Sequence, residues 1–283
     1  MPAIIHSLGE LQGILDSWRS AGETVALVPT MGSLHEGHKA LVREAATHAD
    51  RCVVSIFVNP LQFGAGEDFE EYPRSLVSDE AFLADTLVDV IFAPSAEVIY
   101  PEGPDEAPTL SAGDVGDTFE GGFRPGHFDG VLTVVKRLFD YVSPDVAVFG
   151  LKDAQQVFVV HQMVDTLGLS VRIVEVETVR DTDGLALSSR NTHLSDTERV
   201  HAREIPRALD EAENASSARE ALEVARGILD AAPGLVVDYV DVVDPKTFGP
   251  QADGGQGREG RLIIAATVGG VRLIDNRLLR FGQ

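Results

Sequence analysis

TVALVPTMGSLHEGHKALVR, residues 24–43, decides how the chain folds. Val25, Ala26, Leu27 and Val28 form a continuous apolar run, the composition of a buried strand. Pro29 and Gly32 are expected to stop it, because neither supports an interior ladder position. A short polar turn follows, and HKALVREAATHA reads as a helix with Leu41, Val42 and Ala45 on one face. The turn carries His35, Glu36, Gly37 and His38. Residues three apart at a helix start share a face, so both imidazoles can address one object. Gly37 leaves room for a ligand to approach the backbone. Unpaired N–H groups and the positive dipole end favour an anion there, so the constellation suits a phosphate. Two other readings stand beside it: unrelated surface histidines, and half of a zinc site. The zinc reading is the weaker, because HEGH is one residue short of H-E-x-x-H and no Cys or His cluster stands nearby.

Outward from this stretch, residues 8–21 form an amphipathic helical pattern, with Leu8, Leu11, Leu15 and Trp18 as core contacts. A second buried strand spans 52–58 and runs into Asn59-Pro60-Leu61-Gln62-Phe63. Residues 64–72, glycine-rich and acidic, read as a mobile loop, and 73–86 as a helix. Strands are expected at 88–92, 145–149 and 170–179. Strands alternating with helices indicate an α/β fold, a Rossmann-like doubly wound parallel sheet. Ligands gather at the carboxyl ends of such strands. His35, Asn59, Gln62 and Lys152 all lie just beyond one.

The pattern changes after RDTDGLALSSRN. Helices at 196–212 and 218–231 precede strands at 236–243, 261–267 and 271–275, with Gly269-Gly270 as a hairpin signal. This is a smaller α+β unit, and a boundary near Val179 divides the chain into domains 1–178 and 179–283. The glycines 255, 257 and 260 match G-x-G-x-x-G but precede a strand, the reverse of the dinucleotide fingerprint. Gly-Lys never occurs, so a Walker A loop is absent from the sequence.

The formal charge of −22 and a pI near 4.6 disfavour nucleic-acid partners, since an acidic surface repels phosphate backbones. With 44% hydrophobic residues the chain can build a sizeable core. No apolar run is long enough to span a membrane, and MPAIIHSLGE lacks the regions of a signal peptide, so a soluble cytoplasmic protein is expected. Cys52, the single cysteine, sits within CVVSIFV and reads as buried core.

Thr30 to His38 is similar to the nucleotide-binding turn of the nucleotidyltransferase superfamily. Four further stretches, VSIFVNPLQF (54–63), EYPRS (71–75), FGLKDAQQ (149–156) and LSSRN (187–191), narrow the likeness. Together they resemble the pantothenate synthetase family, ligases that join pantoate to β-alanine with ATP. The resemblance runs from about Ile4 to Asp275-Asn276.

It implies adenylation of pantoate, then attack by the β-alanine amine, with release of pyrophosphate and AMP. Such chemistry needs preorganised donors and Mg2+ around the phosphates rather than a covalent nucleophile. By resemblance, Met31, Gly32, Ser33, Leu34, His35, Glu36, Gly37 and His38 form part of the ATP site. His38 is then the principal catalytic donor, beside His35. Gly150, Leu151, Lys152 and Asp153 add to the ATP site, with Lys152 neutralising phosphate charge. Val179 and the second ATP loop, Leu187, Ser188, Ser189 and Arg190, complete it from the smaller domain. Gln62 and Gln156 match the pantoate-binding glutamines, Gln62 also near the β-alanine entry, because a carboxamide both donates and accepts. Arg124 and His127 rank behind them, and residues 64–78 resemble a gate over the cavity. A homodimer through the larger domain is implied too.

Leu151 and Ala154 stand where the family usually has Glu and Tyr, Leu187 where it has Met, and Ser78 where an acid is common. That last change leaves Asp79 as the neighbouring carboxylate for a metal. Another small-molecule adenylyltransferase and a catalytically weakened nucleotide-binding homologue are the alternatives.

Overall fold

Six strands build one parallel sheet: β1 (Ala3–Ile5), β2 (Val25–Thr30), β3 (Arg51–Ile56), β4 (Val90–Phe92), β5 (Val146–Gly150) and β6 (Arg172–Val176). Their order is β1-β4-β3-β2-β5-β6. The connections carry α1 (Leu8–Ser20), α2 (Glu36–His48), α3 (Leu76–Leu83), α4 (Ala96–Ile99), α5 (Glu120–Phe123), α6 (His127–Val142) and α7 (Ala154–Leu167). The computed structural model describes residues 1–64, 66–67, 69–251 and 258–282. The chain divides into two units, one of Met1–Gly150 with Gln155–Val176 and one of Leu151–Ala154 with Glu177–Gln283.

The central strands carry near-continuous apolar runs because helices cover both faces of the sheet. Ala26, Val28, Val54 and Val148 cluster with Leu41, Val42 and Ala45 of α2 and Leu83 of α3. The alternate residues Leu27, Val53 and Ala147 are equally buried and face the other side, where α6 lies against β2 and α1 against α6. The chain leaves β2 toward β3, whereas β5 pairs on the other flank of β2 and leads on to β6. That reversal is the topological switch point, and it sets the carboxyl ends of β2 and β5 side by side.

β2 continues through Pro29 to Thr30, past the expected stop, with Pro29 opposite Ser55. Odd-numbered residues of β2 direct their backbone groups toward β5, as Asp145 N–H donating to Val25 O shows. Pairing with β5 ends at Leu27, so the missing N–H of Pro29 interrupts no ladder bond. α3 begins at Leu76 rather than at residue 73. Before it, Arg74 donates to the carbonyls of Phe69, Glu70 and Tyr72 and holds its segment as a turn. Residues 65 and 68 of the expected mobile loop lie outside the described residues, as do Gly255 and Gly257; Gly260 stands in a strand.

The second unit pairs β7 (Leu235–Val243), β8 (Arg258–Val268) and β9 (Val271–Phe281) antiparallel in that order. Gly269 and Gly270 turn the β8–β9 hairpin with φ of 57° and 83°, the left-handed pair that such a tight turn demands. The helix expected over 196–212 is two, α8 (Asp196–Ala202) and α9 (Glu204–Ala212). Pro206 lacks the N–H that would reach Ala202 O, so the break falls at Arg203. α10 (Ala218–Ala231) packs on α9 and the sheet through Ala208, Ala212, Ala221 and Ala225, small side chains that let the helices approach closely.

Candidate functional site

The chain leaves β2 through a left-handed turn, with φ of 85° at Gly32 and 52° at Ser33, and enters α2 at His35. The two histidines cap this helix reciprocally. Gly37 N–H donates to His35 Nδ1 at 3.2 Å, and His35 N–H donates to His38 Nδ1 at 3.1 Å. A backbone N–H only donates, so each Nδ1 is an acceptor and each neutral imidazole carries its proton on Nε2. The rings lie 4.1 Å apart between centroids. The pattern that suggested two imidazoles on one face thus yields a pair of Nε2–H donors at a helix N-terminus, beside the switch point.

Asp79 of α3 braces the turn from below. Its Oδ1 accepts from Leu34 N–H at 2.8 Å and its Oδ2 from Ser33 N–H at 3.1 Å. Burial raises its pKa, opposed by these two backbone hydrogen bonds. Asp79, the carboxylate expected near a metal, has each of its two oxygens hydrogen-bonded to the turn. Ser78 shares a hydroxyl–hydroxyl bond with Ser75. Among the described residues no group of three His, Cys, Asp or Glu side chains is arranged around a cation.

Gln62 lies in a helical turn after β3, and Nε2 donates to Met31 Sδ at 3.1 Å. Its backbone carbonyl accepts from His127 Nδ1 at 2.8 Å and from Arg124 Nη2 at 3.2 Å. A carbonyl only accepts, so His127 carries its proton on Nδ1. Burial first, then the adjacent Arg124 charge, pull the His127 pKa down to about 4. Arg124 also forms a two-pronged ion pair with Glu67, at 2.6 and 2.9 Å. Of the glutamine pair that opens α7, Gln155 is bound to the backbone of Val115, Thr118 and Glu120, whereas Gln156 is half-buried. Gly150 ends β5, and a Cβ there would make only ordinary contact with Leu41, at 3.8 Å.

The other expected residues belong to the second unit. Lys152 is partly buried with Nζ 3.5 Å from Asp153 Oδ1. Asn276 of β9 holds this segment, Nδ2 donating to Leu151 O at 2.7 Å and to Lys152 O at 3.0 Å. Val179 and Leu187 face each other through Leu187 N–H donating to Val179 O at 2.9 Å. Arg180 beside them donates to both oxygens of Asp275, at 2.6 and 3.0 Å. Ser188 caps the short helical turn Ser189–His193 that carries Arg190. The turn residues Met31 to His38, Gln62, Asp79, Gly150 and Gln156 therefore group in one unit, and Leu151 to Asp153, Val179 and Leu187 to Arg190 in the other. Sequence reasoning missed the bracing by Asp79 and the hold of Asn276 on the carbonyls of Leu151 and Lys152.

A family model described as pantoate-beta-alanine ligase matches residues 3–278. The chain belongs to that family. Pantoate-beta-alanine ligases resemble it over essentially their whole length. A pantothenate synthetase of Acidothermus cellulolyticus is 50% identical over 99% of this chain and 92% of its own. The crystal structure of pantothenate synthetase from Thermus thermophilus is 45% identical with a TM-score of 0.90, covering 97% of this chain and 98% of that one. The Francisella tularensis pantoate-beta-alanine ligase, solved in complex with β-γ ATP and β-alanine, is 33% identical with a TM-score of 0.81, covering 98% of each chain. Leu151 and Ala154 are both buried apolar side chains.

Proposed function

We propose that the chain ligates (R)-pantoate to β-alanine, consuming ATP and releasing AMP and pyrophosphate through pantoyl adenylate. The observation that carries this reading is the pair of Nε2–H donors on His35 and His38, fixed by backbone bonds at the start of α2. A pantoate carboxylate oxygen attacks the α-phosphorus, the α–β anhydride bond breaks, and pyrophosphate leaves. The β-alanine amine then attacks the acyl carbon, the C–N bond forms, a proton is lost and AMP departs. Negative charge gathers on phosphate oxygens in the first step, where fixed donors stabilise it without reorganising. His38 is the principal donor, His35 its neighbour, and Lys152 a compact countercharge.

Residues 1–178 hold the nucleotide turn and the pantoate amides of Gln62 and Gln156, and residues 179–283 carry the second ATP loop. Met31 to His38, Gly150 to Asp153, Val179 and Leu187 to Arg190 serve ATP. Magnesium, when bound, neutralises phosphate charge. The donor set fits a cation carried by the triphosphate and water rather than a cage of protein carboxylates. We assign the protein to the cytoplasm as a homodimer, without nucleic-acid or membrane partners; among the described residues no helix is long and apolar enough to cross a membrane.

Omitting each substrate in turn tests the reading. With ATP, magnesium, pantoate and β-alanine present, AMP and pyrophosphate accumulate in equal amounts, and omitting pantoate stops both. Release of ADP would contradict adenylation.

A further inference from the structure

Gln62 is the amide assigned to pantoate, and two buried side chains beside it, Asn59 and Tyr100, set its orientation. Asn59 and Tyr100 are each 1% exposed, and Gln62 is 7% exposed. Tyr100 OH donates to Asn59 Oδ1 at 2.7 Å, and Asn59 Nδ2 donates to Gln62 Oε1 at 3.2 Å. Amide ends are usually ambiguous, but here backbone groups of fixed polarity decide. Leu61 N–H, which can only donate, meets Asn59 Oδ1 at 3.3 Å. Gly130 O, which can only accept, receives Asn59 Nδ2 at 3.0 Å. Asn59 therefore has one permitted orientation, and its second Nδ2 hydrogen faces Gln62 Oε1. Gln62 Nε2 is then turned toward Met31 Sδ at 3.1 Å, a weak acceptor.

We propose that Tyr100, acting through Asn59, is a positioning residue for the pantoate amide: it fixes Gln62 with Nε2–H outward, ready to exchange a thioether for an oxygen of the organic acid. The inference rests on the assignment of Gln62 to pantoate. Gly130 makes the arrangement possible, because a Cβ there would fall 2.2 Å from Leu61 O and 2.7 Å from Gln62 N and push the 60–62 turn off α6. Burial raises the Tyr100 pKa, so the phenol keeps its proton and donates at every working pH. Its ring packs against Phe57, with centroids 6.2 Å apart, so removal of the hydroxyl alone leaves the packing in place.

Tyr100→Phe removes one link of the relay. A hydrogen bond of this kind corresponds to about 3–10-fold in affinity. Pantoate kcat/KM is expected to fall by that factor, while the KM for ATP stays within about twofold. A double-mutant cycle separates this from general loosening. In a Gln62→Ala background, Tyr100→Phe should have no further effect on pantoate kcat/KM. An equal additional loss there would overturn the relay. The side-chain amide signals of Gln62 in a 1H–15N spectrum of the ligand-free protein give an independent readout. They should move in Tyr100→Phe and move further in Asn59→Asp, where a carboxylate would face Gln62 Oε1. Unmoved signals would overturn the proposal even if turnover fell. If the wild type shows no pantoate-dependent AMP release, the functional reading fails on its own, and the amide spectrum still decides whether Tyr100 orients Gln62.

Discussion

Asp79 Oδ1 accepts the backbone N–H of Leu34 at 2.8 Å, and this contact ties the turn after β2 to a helix 45 residues downstream. With the second bond to Ser33 N–H, one carboxylate satisfies two successive amides of a left-handed turn. Asparagine has the same shape but only one acceptor, so in Asp79→Asn an NH2 group confronts a backbone N–H. Leaving such a donor unsatisfied costs about 1–3 kcal/mol. We expect a stability loss of that order in urea unfolding and a fall of about tenfold or more in kcat/KM for ATP. The magnesium concentration giving half the maximal rate should not change. A marked rise in it would return Asp79 to the metal.

Gly32 shares this brace. Its φ of 85° is one that L side chains rarely adopt, and a Cβ would sit 2.9 Å from Asp79 Oδ2 and 3.1 Å from Ile56 Cγ2. Gly32→Ala therefore strains the backbone and displaces the carboxylate together, and should cost at least about 1–2 kcal/mol in thermal or urea unfolding. The same substitution at Gly150, where a Cβ meets nothing closer than 3.8 Å, should leave stability unchanged and serves as the control.

His38→Ala removes the donor we propose as principal, together with the acceptor that caps His35 N–H. Loss of one preorganised oxyanion-type donor typically lowers kcat by about 10²–10³. Single-turnover measurement of AMP formation should show that loss in the adenylation step. A rate equal to the wild type would remove His38 from the mechanism.

The local parts of this architecture were legible in the residues. The strand, turn and α2 follow from an apolar run, glycine and a helical stripe, all within 25–48, and Gly269-Gly270 marked its hairpin. Pro29 misled because its tolerance depends on which neighbour β2 has already lost, a fact of register. α6 was overlooked although Val131, Leu132, Val135, Leu138 and Phe139 recur at helical spacing, because it follows a glycine-rich motif and is apolar on most sides. The single helix expected over 196–212 failed for a local reason that could have been read from Pro206. Asp79, Tyr100 and Asn276 act through side-chain bonds to partners far along the chain. Such bonds have no period and no local composition, so only the folded chain reveals them.

His127 makes a separate prediction about pH. Unfolded, its imidazole titrates near its ordinary value of 6.5; folded, it does so at about 4. Between those values the unfolded chain binds a proton that the folded chain refuses, so stability rises with pH across this window. The contribution is fully present above the unfolded value and is lost as pH falls toward 4, up to about 3 kcal/mol in all. His127→Asn keeps a donor for Gln62 O but cannot titrate. Urea unfolding at pH 7 and pH 4.5 should show a smaller acid loss in the variant than in the wild type. Parallel losses would mean that His127 is not the titrating group.

Asn276 tests how Lys152 is held. Its Nδ2 donates to the carbonyls of Leu151 and Lys152, and its Oδ1 accepts from Arg261 Nη1 at 2.6 Å. Those three partners permit one orientation of the amide. Asn276→Asp keeps the size but sets a carboxylate oxygen against two carbonyls, so the 151–153 segment must move away from β9. The Lys152 ammonium moves with it, whereas Gln62 and its relay belong to the other unit and keep their own bonds. The KM for ATP should therefore rise about tenfold, a shift of about 1.4 kcal/mol, with the KM for pantoate within about twofold of the wild type. If instead thermal stability falls and both constants stay put, Asn276 braces the fold alone, and the lysine is positioned by something other than β9.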